Sequence, residues 1–156
     1  MTDTSTAKTI VTFDQLPSLV GTDLGTTEWF EITQQRIDQF AVAANDDQWI
    51  HTDPERAKDG PFGTTIAHGF LTLALVIPFW TELFDVEGVT SKVNYGLDRV
   101  RFTSPVTVGS RLRMAATIDE VTEVKGGVQI KVGTVMQIEG GERPALVAEF
   151  IARFYS

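Results

Sequence analysis

No cysteine occurs among the 156 residues, so disulfides, thiolate nucleophiles and cysteine-based zinc sites are all excluded. Histidine is scarce too, with only His51 and His68. Positive charge is in short supply: 13 Lys and Arg stand against 21 Asp and Glu, a net charge of −8. Such a chain repels phosphate backbones, so no nucleic-acid partner is expected. An anionic ligand would need a local basic patch, for which Arg56, Lys58, Lys92, Arg99 and Arg101 are the candidates. The longest strongly apolar run, residues 70–80, is interrupted by Thr72 and Pro78. It reaches about half of the ~20 residues a membrane span requires, so it reads as a buried helix. The polar N-terminus, which carries Asp3, has neither signal-peptide nor transit-peptide character. Also missing are a Gly-x-Ser-x-Gly elbow, a glycine-rich phosphate loop and a His-x-x-x-His pair. What is left is a cytoplasmic domain of ordinary composition, 42% apolar and 22% charged, with no metal or cofactor expected.

Residues 1–10 read as a flexible tail and residues 11–156 as one domain. Phe13-Asp14-Gln15-Leu16-Pro17 suggests a short turn, and Thr27–Ile32, rich in aromatic and β-branched residues, a strand. Thr33 is a natural N-cap for a helix to about Ala44, in which Ile37, Phe40, Ala41 and Ala44 share one face. Asn45-Asp46-Asp47 stops it, because short polar side chains compete for the helical backbone. Asp53-Pro54 starts a short second helix that Gly60-Pro61 ends. After a loop containing Gly63, a longer helix spans about Ala67–Phe84, with Pro78 expected to bend or break it in its last turns. Because it is apolar nearly all round, it should be wrapped by other structure. The pattern then changes to strands at about Thr90–Phe102, Arg111–Val121, Val128–Glu139 and Pro144–Tyr155, with Gly126-Gly127 and Gly140-Gly141 as turns. Helices first and an antiparallel meander second is an α+β layout.

Chemistry concentrates around the two histidines. Asp46 and His51 are five apart across a helix end, and they converge only if the loop folds back on itself. A carboxylate and an imidazole holding one water would be competent for hydration or dehydration. Asp47 is an equal candidate at this point, and a helix cap plus a loop histidine is the plainer alternative. In Ile66-Ala67-His68-Gly69-Phe70, glycine at a helix start lets a ligand approach the backbone, where free N–H groups favour developing negative charge. His68 itself reads as a core histidine that ties down the junction. Asp46, His51, Asp53 and His68 could in principle ligate a metal, but their spacing is not one of the usual ligand patterns.

The pattern Phe40-Ala41-x-Ala43-x-x-Asp46-x-Gln48-x-x-His51-x-Asp53-x-x-x-Ala57, followed by Phe62-Gly63-x-x-Ile66-Ala67-His68-Gly69, resembles the MaoC-like, R-specific enoyl-CoA hydratases. Asn94-Tyr95-Gly96 and Val100-Arg101-Phe102-x-x-Pro105-Val106-x-Val108-Gly109 look like the same family's later segment. The resemblance implies a hot-dog fold, an antiparallel sheet wrapped around a central helix, in a homodimer. It implies reversible hydration of a trans-2-enoyl-CoA to the (3R)-3-hydroxyacyl-CoA. Asp46 and His51 would be the catalytic dyad, and the Gly69 N–H would bind the thioester oxygen. Gln48, Trp49, Phe62, Gly63, Ile66, His68, Asn94 and Tyr95 would be the substrate-contacting positions. Gln48-Trp49 stands where the commonest family pattern has Asn-Pro, as in the subgroup resembling nodulation-protein-N-type hydratases, so Trp49 is expected to alter the pocket's shape. A hot-dog thioesterase and a non-catalytic acyl-CoA-binding subunit are the rivals, and retention of the Asp46…His51 pattern argues against both.

Overall fold

A computed structural model describes residues 5–156. The N-terminal segment is pinned rather than loose. Ser5 donates a hydrogen bond to Glu28, and the Thr6 and Thr26 backbones are joined at 2.8 Å. Strand β1 (Thr9–Thr12) then pairs in parallel with β4 (Phe84–Glu87), forming a small sheet of its own. Lys92 and Lys8 flank Asp85 on β4, and the bond from Lys92 holds its carboxyl below the usual carboxylate range. The flexible tail expected to residue 10 therefore does not extend over residues 5–10, and residues 1–4 lie outside the described residues. A 3-10 turn at Phe13–Leu19, longer than expected, buries Leu16.

The main sheet has the order β2 (Asp23–Thr26), β6 (Arg111–Val124), β7 (Gly127–Ile138), β8 (Leu146–Tyr155), β5 (Ser91–Phe102), all antiparallel, and β3 (Phe30–Glu31) also pairs with β6. The single strand expected over residues 27–32 is thus cut to β3. Thr27 still faces β6, with its backbone N–H on Met114 O, but its hydroxyl, not a backbone carbonyl, accepts the Met114 N–H at 2.9 Å. The next N–H, of Glu28, goes to the Glu82 carboxylate at 2.7 Å, so no ladder can run through it.

Alternation along the long strands matches the expected period. Val128, Ile130, Val132, Thr134 and Met136 of β7 all point inward, with Thr134 satisfied by the Ala148 carbonyl. The β6–β7 turn is Lys125-Gly126, where Gly126 takes φ +79°; Gly127 already belongs to β7. Bulges in β5 at Tyr95 and Asp98 and in β6 at Asp119 add local twist, which curls the sheet around what it covers.

What it covers is the central helix. This is two helices, α4 (Gly69–Ala74) and α5 (Val76–Leu83), separated by Leu75 alone; ahead of them in the chain come α1 (Gln34–Ala44), α2 (Trp49–Thr52), which carries His51, and α3 (Pro54–Ala57). The break falls three residues ahead of Pro78, not in the last turns. A proline lacks the N–H that would bond residue i−4, here Ala74, and its ring crowds that carbonyl, so the helix yields at Leu75 and restarts with Pro78 in its first turn. Leu71, Leu75, Val76, Phe79, Trp80 and Leu83 are buried against the sheet, with Trp80 edge-on to Phe150 of β8 at 5.9 Å. Phe84 has left the helix for β4. No helix among the described residues is long and apolar enough to cross a membrane.

Thr27→Val keeps the volume but leaves the buried Met114 N–H without its acceptor. The expected loss is about 1–3 kcal/mol of unfolding free energy, read from urea denaturation midpoints.

Candidate active site

Helix α1 delivers the first member of the site. Thr33 caps it by accepting the Arg36 N–H at 3.2 Å, and Ile37 and Ala41 bury its inner face, while Ala44 is exposed. Asn45 ends it in the left-handed region at φ 53°, a conformation asparagine tolerates better than most residues. That reversal turns the chain so that Asp46, whose N–H returns to Ala41 O at 3.0 Å, leaves the helix end. Three residues later α2 begins, so Asp46 and His51 lie on two limbs of one tight bend. Asp53 is not available to the cluster, because its carboxylate caps α3 through the Arg56 N–H at 3.0 Å.

Asp46, His51 and His68 come together. A carboxylate oxygen of Asp46 and one ring nitrogen from each histidine lie within 4.8 Å of one another, and both histidines are buried. The two imidazoles stack with centroids 3.9 Å apart and 23° between their planes, and Phe40 packs tilted against His68 at 4.9 Å. His51 Nδ1 lies 2.7 Å from the Ile66 carbonyl. A carbonyl only accepts, so Nδ1 carries a proton, and in the neutral ring Nε2 keeps its lone pair. By the same reasoning His68 Nε2 donates to the Asp46 carbonyl at 2.9 Å, which leaves His68 Nδ1 buried and unpaired. His68 is thus only half satisfied, and it ties down Asp46 rather than the backbone of its own junction.

The stacking bears on whether this cluster could hold a metal. The uncommitted nitrogens would be His51 Nε2 and His68 Nδ1, whose lone pairs lie in nearly parallel planes. Two imidazoles bind one ion when their lone pairs converge at about 2.0–2.1 Å from it.

Next to the cluster is a cleft of about 300 Å³ lined by Ile66, Ala67, Gly69, Phe102, Pro105 and Val106 among others. Gly69 opens α4, so its N–H has no intrahelical acceptor. A Cβ there would meet the Phe102 ring at 3.0 Å, so any larger residue would have to push that half-exposed ring aside. The strand-like segment 65–67 is held on both sides, with Ile66 N–H to Ile50 O at 3.0 Å and Ala67 N–H to Val106 O at 2.7 Å.

The other expected positions are scattered. Gln48 caps α2 with its backbone carbonyl only, its side chain making no cap bond. Trp49 turns to Gly60, where a Cβ would meet its ring at 2.9 Å, and to Arg56, 4.4 Å above the ring; it does not line the Gly69 cleft. Phe62 is 41% exposed, and Gly63 sits in an open turn at φ +71°. Asn94 and Tyr95 lie seven or eight residues before Phe102 on β5, roughly 25 Å away at ~3.3 Å per residue. Tyr95 there stacks with Arg153, and Asn94 borders α5. Of the basic candidates, Lys58 is paired with Glu55 and Lys92 with Asp85, while Arg99 and Arg101 are exposed on β5 just ahead of Phe102. Reading the residues missed Gln34, Thr65 and the cleft wall formed by Phe102 and the chain after it; only the motif around Pro105 pointed there.

The model of the MaoC like domain matches residues 15–140. The chain belongs to the MaoC-like dehydratases. It is similar to 3-hydroxyacyl-thioester dehydratase Z of Mycobacterium tuberculosis, 46% identical over 148 residues that cover 94% of this chain and 98% of the relative. It is 44% identical to nodulation protein N of Rhizobium leguminosarum over 139 residues, 87% of this chain and 86% of that protein. An R-hydratase structure from Pseudomonas aeruginosa superposes with a TM-score of 0.71 at 23% identity, covering 85% of this chain and 79% of that one. The curled sheet and central helix of this MaoC-like dehydratase are therefore the hot-dog fold, and the enzyme is a hydro-lyase.

His68→Phe keeps the stack on His51 but removes the bond to the Asp46 carbonyl. The expected cost is about 0.5–1.5 kcal/mol in chemical denaturation, with the Asp46 loop displaced in the variant's crystal structure.

Proposed function

We propose that this MaoC-like dehydratase adds water reversibly to a trans-2-enoyl-CoA, giving the (3R)-3-hydroxyacyl-CoA, with Asp46 and His51 as the catalytic dyad. The observation that carries the reading is the convergence of the Asp46 carboxylate with the imidazole of His51, whose Nδ1 is occupied by the Ile66 carbonyl. That leaves His51 Nε2 and the carboxylate to hold one water. In hydration the water oxygen bonds to Cβ, its proton passes to the dyad, and the dyad returns a proton to Cα; dehydration runs the same transfers backwards. Negative charge that grows on the thioester oxygen is met by the Gly69 N–H at the mouth of α4. The Gly69 cleft lies within two residues of His68 and shares Ile66 with the His51 bond, so one thioester can reach both. The name of the mycobacterial relative supports a 3-hydroxyacyl thioester as the dehydration substrate. Arg99 and Arg101 supply the positive charge that an anionic carrier needs on an otherwise acidic protein.

The working unit in this reading is a homodimer. Strand β5 is twelve residues long and pairs only with β8 among the described residues, so its other edge offers a row of free backbone groups. Val93, Tyr95, Leu97, Phe102 and Phe70 expose large apolar side chains along that side. A seam of about 240 Å³ between β5 and the central helix, lined by Leu73, Val76, Ile77 and Leu97, is open there as well. A second copy of the chain covers all three features at once.

Asp46→Asn and His51→Asn should each lower kcat/KM for hydration of a short enoyl-CoA by about 10²- to 10⁴-fold, with the fold unchanged by circular dichroism. Loss of enoyl absorbance without release of free thiol, and a 3R product, distinguish this from thioester hydrolysis. Undiminished activity in either variant would remove the dyad. Leu97→Lys puts a charge in the apolar seam and should shift the protein from dimer to monomer in sedimentation velocity.

A further inference from the structure

Gln34 sits at the first position of α1, partly buried, and its side chain joins three parts of the site's frame. Its Nε2 lies 2.7 Å from the His51 carbonyl and 2.8 Å from the Asp38 carboxylate. Both partners only accept, so the amide orientation is settled: the NH2 faces them and Oε1 faces the other way. There Oε1 accepts the hydroxyl of Thr65, 1% exposed, at 2.5 Å. Thr65 immediately precedes Ile66, whose carbonyl takes the proton of His51 Nδ1. One amide therefore grips the main chain of His51 on one side and the strand that receives the His51 ring on the other.

The same helix also controls Asp46. Gln34 opens α1, and Asp46 follows its left-handed C-cap, so the eleven-residue helix acts as a rigid spacer. Sliding the His51 turn relative to α1 would change its distance from the Asp46 carboxylate and from Ile66 O together. A misplacement of about 1 Å can cost on the order of a hundredfold in rate. We propose that Gln34 is a positioning residue that holds His51 in register with both Asp46 and the Ile66 carbonyl, and so keeps Nδ1 protonated and Nε2 free. The proposal rests on the reading of His51 as the base, but its geometric half can be measured without turnover.

The test is imidazole ¹⁵N NMR with labelled histidine, at about pH 8.5, roughly two units above the ordinary histidine range. With two histidines in the chain, His68→Phe assigns the signals. The wild type should show His51 as the Nδ1–H tautomer alone. Gln34→Glu keeps the acceptor for Thr65 but loses the donor to His51, and should shift His51 to a mixture containing the Nε2–H form. Its kcat should fall about tenfold or more while KM stays within about twofold. Thr65→Val should act in the same direction, and Thr65→Ser, which keeps the hydroxyl, should restore both readouts. A Gln34→Glu protein with a lowered melting temperature but an unchanged His51 tautomer and unchanged kcat would overturn the proposal, leaving Gln34 a purely structural residue. If Gln34→Glu does not fold, the Thr65→Val and Thr65→Ser pair decides by the same two readouts. Wild-type protein with the expected tautomer but no hydration of any enoyl-CoA would instead remove the function, with the positioning claim intact.

Discussion

The hydrogen bond between His51 Nδ1 and the Ile66 carbonyl, 2.7 Å long, is the contact around which this molecule is organised. It sets the histidine's tautomer, and it can form only because two chain segments fifteen residues apart are held edge to edge. Ile66 is bridged on one side to Ile50 and on the other to the segment around Thr107. Ile66 thus belongs to a small piece of sheet laid between the helical bend and the approach to β6. The adjoining residues inherit their placement from it: His68 stacks on His51, Gly69 starts the central helix, and the cleft opens beside them. A carbonyl in this role is worth more than a side-chain partner would be, since the backbone adds no rotamer freedom of its own.

That arrangement depends on the central helix being anchored, and here the sheet does the work. Bulges in β5 and β6 curl the antiparallel strands so that their inner faces meet the buried side of α4 and α5. The break at Leu75 leaves Pro78 an acceptable place in the first turn of α5. The β5 side is exposed along its length, which is where the proposed second copy would complete the burial.

Local physics was legible wherever one segment decides its own state. Thr33 as a cap, the polar stop at Asn45, the alternation of β7 and the four long strands each follow from residue types and spacing alone. The misreadings came where distant groups intervene. Thr27–Ile32 has strand composition, yet a threonine hydroxyl and a glutamate from α5 take the backbone groups that a ladder needs. β1 and β4 are four residues each and find one another across more than seventy residues, so neither carries a pattern long enough to announce itself. Pro78 signalled a break correctly but not its place, because the clash falls one turn upstream of the ring.

In the site, the motif by itself determined that an acid, two histidines and a helix-opening glycine belong together. Residue types carry that much: only such groups move protons near neutral pH or expose a free N–H. What tertiary structure decided was their relation. It placed Asp46 and His51 on two limbs of a bend, packed His68 against both His51 and Phe40, and turned Trp49 away toward Gly60 and Arg56. It also recruited Gln34 and Thr65, thirty-one residues apart, into one hydrogen-bonded brace. Such relations are invisible in a sequence because hydrogen bonds depend on angstroms and angles, and those are set only when the whole chain has packed.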